Sequence, residues 1–258
     1  LWIMRRLSDK FFENIIKERI STPNSSPNGD EADDLVDVLL NLEGQGNDQF
    51  RFTKTKIKAL LQELIAVGSE TSGATMEWAM SELMKNPSTM EKAQSEVRQI
   101  LGKKSTIEEA DLREMKYLKL VIKEVLRLHP PIPLLIGREA GVDLKIGGYD
   151  IPAKTKVVVN EWAIASDPRY WDEPDRFSPE RFLDSGIDFR GASFEYLPFG
   201  AGRRMCVGIS HSMAVIERTL ANLLWQFDWK LPTGMEPKDL DMTDATGFAA
   251  RRKNDLHL

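Results

Sequence analysis

The sequence predicts a mainly α fold with small β-sheets. Apolar residues recur at helical spacing over two long stretches, about 53–85 and from Ile209 to Phe227. Strand-like runs are confined to 144–151 and 156–160, enough for a hairpin and little more. Residues 169–198 are rich in Pro, Asp and Phe, with Trp171, and show no period, which reads as a structured meander.

Taken in order, Met4, Leu7, Phe11, Ile15 and Ile16 form one apolar stripe, so an amphipathic helix opens the chain. Thr22–Asp34, with its Pro, Asn, Ser and acids, reads as an exposed loop. Leu35–Leu42 is a short helix and Gly44–Asp48 another loop. The long helix then runs from a cap at Thr53 to Lys85, where Asn86-Pro87 stops it. At 1.5 Å per residue it spans roughly 50 Å. Its middle, Gly68-Ser69-Glu70-Thr71-Ser72-Gly73, is poor helix sequence and invites a kink or groove, with Glu70 expected to be buried.

Ser88-Thr89-Met90-Glu91 has the form of a capping box, and Gly102 ends the helix it opens. Thr106–Glu109 is a second such start. The next helix, about Glu114–Leu128, stops at His129-Pro130-Pro131 and carries Glu124 and Arg127 on one face. Pro131–Arg138 is apolar and extended. Gly147-Gly148 turns a hairpin, Lys156–Asn160 is a strand, and Trp162–Ala165 is a short helix.

Composition narrows the function. The net charge of −5 and 41% hydrophobic residues give no sign of a nucleic-acid binder or a disordered tail. A single cysteine excludes an intrachain disulfide framework and fits a reducing compartment. No apolar run reaches the roughly 18 residues needed to span a bilayer, and no secretory leader is visible.

That cysteine sits in Phe199-Gly200-Ala201-Gly202-Arg203-Arg204-Met205-Cys206-Val207-Gly208, just before the last long helix. A sulfur where a glycine-rich loop enters a helix meets free N–H groups and the positive end of the helix dipole, and both favour thiolate. A merely buried cysteine would need neither the glycines nor the arginines. A phosphate cradle is a second reading, although the segment lacks the Lys-Ser/Thr ending of such loops. Zinc is disfavoured by one cysteine and three scattered histidines, His129, His211 and His257. The third reading is a metal held by one thiolate, with arginines nearby for an anionic cofactor.

At these positions the sequence resembles the cytochrome P-450 haem loop, Phe-x-x-Gly-x-Arg-x-Cys-x-Gly, matched by Phe199, Gly202, Arg204, Cys206 and Gly208. Three further motifs follow the family's order. Gly68, Glu70, Thr71 and Ser72 resemble its oxygen-binding motif, with Val67 departing from the usual small residue. Glu124-x-x-Arg127 and Pro179-Glu180-Arg181-Phe182 resemble its helix pair and its Pro-Glu-Arg-Phe segment. The resemblance covers essentially the whole chain. It implies that 1–258 is the C-terminal part of a single cytochrome P-450 domain, whose N-terminal half and membrane anchor lie outside it. The Pro-rich run and the Gly-Gly hairpin look most like plant microsomal members acting on terpenoids and similar small metabolites.

By resemblance, Cys206 ligates the iron of haem (iron protoporphyrin IX). Arg204 and Arg138 reach its propionates, and Phe199, Gly202, Gly208 and Gly68 shape its surroundings. Glu70 and Thr71 deliver protons. Glu124, Arg127 and Arg181 form a structural triad, and Val67, Ile132, Leu134, Leu135 and Phe248 face substrate. The implied reaction is hydroxylation of a small apolar metabolite with O2, using electrons from NADPH through a separate reductase. The full-length protein is expected on the cytoplasmic face of the endoplasmic reticulum membrane. The rival expectation is a non-catalytic haem-binding or interaction fragment. A nucleotide-binding module using Gly200–Arg204 is a third.

Overall fold

The computed structural model describes residues 2–21, 34–44, 46–47, 50–245 and 247–258. They group into two compact units, Leu1–Ser69 and Glu70–Leu258. The expected loop over Thr22–Asp34 lies outside the described residues except for Asp34.

The first unit holds α1 (Trp2–Ser21), α2 (Leu35–Asn41), the strand pair β1 (Gly46–Asn47) and β2 (Phe50–Arg51), and the start of α3 (Lys54–Lys85). The strand pair stands where a plain loop was expected over Gly44–Asp48. Asp34 caps α2 by accepting from the N–H groups of Val36 and Asp37. The core is Phe12, Ile16, Leu39, Ile57 and Leu61. The buried stripe of α1 is therefore rotated from the predicted one: Phe12 and Ile16 pack inward, while Leu7 and Phe11 are exposed. Positions 12 and 16 lie one turn apart and meet α2 and α3, whereas the predicted stripe took in the solvent side as well.

The second unit is built on α4 (Pro87–Leu101), α6 (Lys116–Leu128) and α8 (Ile209–Gln226), which pack on one another and on the C-terminal part of α3. Leu118, Val121, Ile122 and Val125 of α6 recur at i, i+3, i+4 and i+7 and are fully buried. Burying each contributes roughly 1.5–3 kcal/mol. Helix ends are closed by neighbours. Glu96 of α4 accepts from the N–H groups of Tyr117 and Leu118 at the start of α6, at 2.7 and 2.9 Å. Arg98 donates to the Leu224 and Phe227 carbonyls at the end of α8.

Two predicted helix starts are corrected. α4 begins at Pro87 with Asn86 before it, and the Ser88 box does not form. Proline preset for the first helical turn moves the start forward, and Asn86 spends its amide on Glu82. α5 (Glu109–Glu114) is capped by Glu108 and Asp111 in a reciprocal box, leaving Thr106 outside. α3 runs as unbroken helix through Gly68–Gly73. A Cβ at Gly68 or Gly73 would meet nothing within 4 Å, so neither glycine serves a close approach.

The sheets are small antiparallel pairs: β3 (Arg138–Glu139) with β6 (Lys156–Val157), β4 (Leu144–Ile146) with β5 (Tyr149–Ile151), and β7 (Asp244–Ala245) with β8 (Arg251–Arg252). Gly147 and Gly148 take φ of +56° and +89°, which the tight turn between β4 and β5 requires. β6 is shorter than expected, because the chain turns at Asn160 to cap α7 (Glu161–Ala165). Pro131–Arg138 is not extended throughout. Leu135 N–H closes a turn onto the Ile132 carbonyl and takes φ +49°.

Candidate functional site

The cysteine loop is held at both ends. Before it, the buried Tyr196 donates its hydroxyl to the Lys123 carbonyl at 2.7 Å, and burial pushes that phenol well above its ordinary range. Leu197 N–H donates to Glu161 Oε1 at 3.0 Å, and Gly200 N–H to the Leu197 carbonyl at 2.8 Å. Gly200 and Gly202 both sit at φ +71°, where a side chain is strained. A 3₁₀ turn over Gly202–Arg204 follows, and Cys206 N–H closes the loop on the Phe199 carbonyl at 3.0 Å. Gly208 then caps α8, its carbonyl accepting from Ser212 N–H at 2.8 Å.

This geometry presents Cys206 as an exposed free thiol at a helix N-terminus. A Cβ at Gly208 would lie 3.8 Å from its Sγ. The next residue, Val207, is 92% exposed. Phe199 is half-buried and packs edge-on against Phe189, with ring centroids 5.3 Å apart.

The Pro131–Arg138 segment adjoins the loop, since a Cβ on Gly200 would lie 3.9 Å from Leu135 Cδ1. It is pinned elsewhere: Trp162 N–H donates to the Pro133 carbonyl, and Ala250 N–H to the Pro131 carbonyl at 2.7 Å. Trp78 of α3 donates to the Ala250 carbonyl and stacks on His129 at 4.0 Å, while His129 Nε2 meets Glu82 at 2.8 Å. The structure thus draws together α3, the turn after α6 and the loop of Phe248.

Glu124, Arg127 and Arg181 meet directly. Arg127 Nε and Nη2 reach the two Glu124 oxygens at 2.8 and 2.9 Å, and Arg181 Nε donates to Oε1 at 2.9 Å. Ser178 N–H adds a further bond to that oxygen. Remaining guanidinium donors go to the carbonyls of Ala165, Asp172, Glu173 and Arg176. Trp171 lies under both arginines. Every guanidinium nitrogen of the two arginines is engaged within the protein, which makes this cluster a fastener between α6 and the meander.

Glu70 is exposed, against the expectation of a buried acid. It continues the Ala74–Trp78 stripe of α3 one turn before that stripe's first buried residue, Ala74, so no core reaches it. Thr71 is half-buried, and its carbonyl accepts from Thr75 Oγ1 at 3.0 Å. Val67, Gly68, Ile132 and Leu135 are half-buried, while Leu134, Phe248, Arg138 and Arg204 are exposed. Sequence reading missed Glu161 and the Trp78–His129–Glu82 cluster. A glutamate interrupting the apolar run Val157–Ala165 was the available signal for the first.

The donor set fits haem. One exposed thiol stands alone, and no group of three His, Cys, Asp or Glu able to hold a metal occurs among the described residues. Exposed arginines at 138 and 204 supply positive charge for an anionic group, and exposed apolar side chains at 134, 136 and 207 suit a flat hydrophobic one. A family profile described as cytochrome P-450 matches residues 3–258.

The chain belongs to the cytochrome P-450 family. Among its relatives, premnaspirodiene oxygenase of Hyoscyamus muticus is 56% identical over 88% of this chain and 45% of its own. The 5-epiaristolochene 1,3-dihydroxylase of Nicotiana tabacum is 53% identical over the same shares, 88% and 45%. A zebrafish cytochrome P-450 solved with abiraterone superimposes with a TM-score of 0.83 at 30% identity, over 96% of this chain and 57% of that one. The chain thus spans about half the length of the curated P-450 relatives it matches, and its architecture is a part of the P-450 fold.

Proposed function

We propose that this chain forms the haem-thiolate part, the C-terminal part of a single P-450 domain, of a plant monooxygenase that hydroxylates a small apolar, terpenoid-like metabolite. The observation that carries the reading is Cys206, the chain's only cysteine, displayed as a free exposed thiol by a glycine-shaped loop at the start of α8. Support for the substrate class comes from two relatives whose names give alkenes as what they oxidise.

Cys206 would hold haem through its thiolate, and the bound group would supply O2-activating oxidation chemistry. The protein's residues do the rest. The N-terminus of α8 stabilises the negative sulfur. Arg204 and Arg138 would hold the haem propionates. Glu70, open to solvent, takes up protons, and the Thr71 hydroxyl beside it on α3 passes them inward. Such proton delivery typically contributes about 10²–10⁴-fold. Apolar side chains at 132, 134, 135 and 248 would contact substrate. Electrons come from NADPH through a separate reductase, and the full-length protein works at the endoplasmic reticulum membrane. No helix among the described residues is long and apolar enough to cross a membrane.

The test is product formation: the haem-loaded protein is combined with an NADPH-dependent reductase, O2 and a cyclic alkene. A hydroxylated product that requires all four supports the reading. Haem binding without any product favours the second reading, a haem-binding chain without turnover.

A further inference from the structure

Glu161 opens a helix of five residues, where Asn160 already serves as cap by accepting from Ala163 N–H. Its side chain therefore is not needed for the helix. It is fully buried instead, with Oε1 accepting from Leu197 N–H at 3.0 Å and Oε2 meeting no partner among the described residues. A buried carboxylate with one donor and one bare oxygen is an expensive arrangement. The titratable groups the geometry ties to it are otherwise engaged. Arg127, which donates to the Ala165 carbonyl at the other end of α7, binds Glu124, and Tyr196, whose phenol feels the Glu161 charge, donates to the Lys123 carbonyl. With no compensating cation, burial pushes the Glu161 carboxyl up to about 7 despite the opposing Leu197 bond.

The position matters because of what Leu197 leads into. Its carbonyl accepts from Gly200 N–H, and the neighbouring Phe199 carbonyl accepts from Cys206 N–H. Three successive hydrogen bonds thus run from Glu161 to the backbone of the thiol-bearing residue.

We propose that Glu161 is a positioning residue: its buried carboxyl fixes the entry of the Cys206 loop through Leu197, and proton uptake there sets how tightly the loop is held. The neutral carboxyl is the less costly form to bury in the closed loop. Loss of its proton leaves a charge that one N–H cannot satisfy, and the loop loosens to admit water. The inference rests on the reading of Cys206 as the axial ligand, and it makes that ligand's support sensitive to pH near neutrality.

Hydrogen exchange tests it without haem. Peptides covering 196–206 are followed at pH 6 and pH 8, corrected for intrinsic exchange chemistry, in the native sequence, Glu161→Gln and Glu161→Ala. The native chain is expected to lose about fivefold protection at Leu197, Gly200 and Cys206 between the two, the worth of one hydrogen bond. Glu161→Gln, whose amide carbonyl still accepts from Leu197, is expected to keep its protection at both. Glu161→Ala is expected to be poorly protected at both. An equal pH-dependent loss in the native chain and Glu161→Gln would overturn the proposal, as would native-like protection in Glu161→Ala. A chain that never bound haem would leave this result standing, and a negative result here would leave the ligand assignment untouched.

Discussion

Glu124 and Arg127, three residues apart on α6, are joined by hydrogen bonds of 2.8 and 2.9 Å with neither side chain exposed to solvent. Arg181 enters from the meander onto the same carboxylate at 2.9 Å. Removing Glu124 would leave Arg127 charged, buried and without its main partner. Glu124→Ala should therefore cost about 3–5 kcal/mol of unfolding free energy. Urea titration followed by circular dichroism checks this, and a loss below about 1 kcal/mol would mean that the pair is solvated in solution.

Two glycines should respond in opposite senses to alanine. Gly202 sits at φ +71°, so Gly202→Ala should destabilise by about 1–2 kcal/mol through backbone strain. Gly68 lies inside α3 with open space where a Cβ would stand, so Gly68→Ala should stabilise by about 0.5–1 kcal/mol. Thermal unfolding of both variants reads the difference directly, and a destabilised Gly68→Ala would show that this position is packed.

The raised Glu161 pKa has a defined sign. Between the ordinary value of 4.5 and about 7 the folded protein holds a proton that the unfolded chain has released. Stability contributed by the neutral carboxyl is full below about 4.5 and is lost as pH rises through about 7. Glu161→Gln cannot titrate, so its stability relative to the native chain should grow across that window by up to about 3 kcal/mol. Denaturation midpoints at pH 5 and pH 8 measure it. Parallel pH profiles for the two proteins would refute the burial of an uncompensated acid.

Thr71→Ala should uncouple turnover in the reductase-driven assay. NADPH consumption should continue while peroxide replaces hydroxylated product. Unchanged coupling would remove Thr71 from the proton path.

Much of this was legible in the sequence because periodicity and punctuation report local chemistry. The repeat of Leu118, Val121, Ile122 and Val125, the glycines at 147 and 148, and the stop at Pro130 each act through their own neighbours. The residues around Cys206 were legible through a motif whose glycines meet backbone demands, a left-handed φ at Gly202 and the cap of α8 at Gly208. What escaped depended on distant partners. Asn86, Pro87 and Glu82 decide the start of α4 together, so a capping pattern at Ser88 misled. Glu70 was expected buried in the Gly68–Gly73 segment, but the core on its face of α3 ends a turn short of it. The burial of Glu161 is set by Leu197, 36 positions away, which no local pattern encodes.

The central claim is that Cys206 is the axial ligand. Its most direct test is the carbon monoxide difference spectrum of the reduced, haem-loaded protein, recorded beside Cys206→Ala. A thiolate-type Soret band in the native sequence that vanishes in Cys206→Ala is the predicted result. The same band in both proteins, or none in either while haem stays bound, would contradict it.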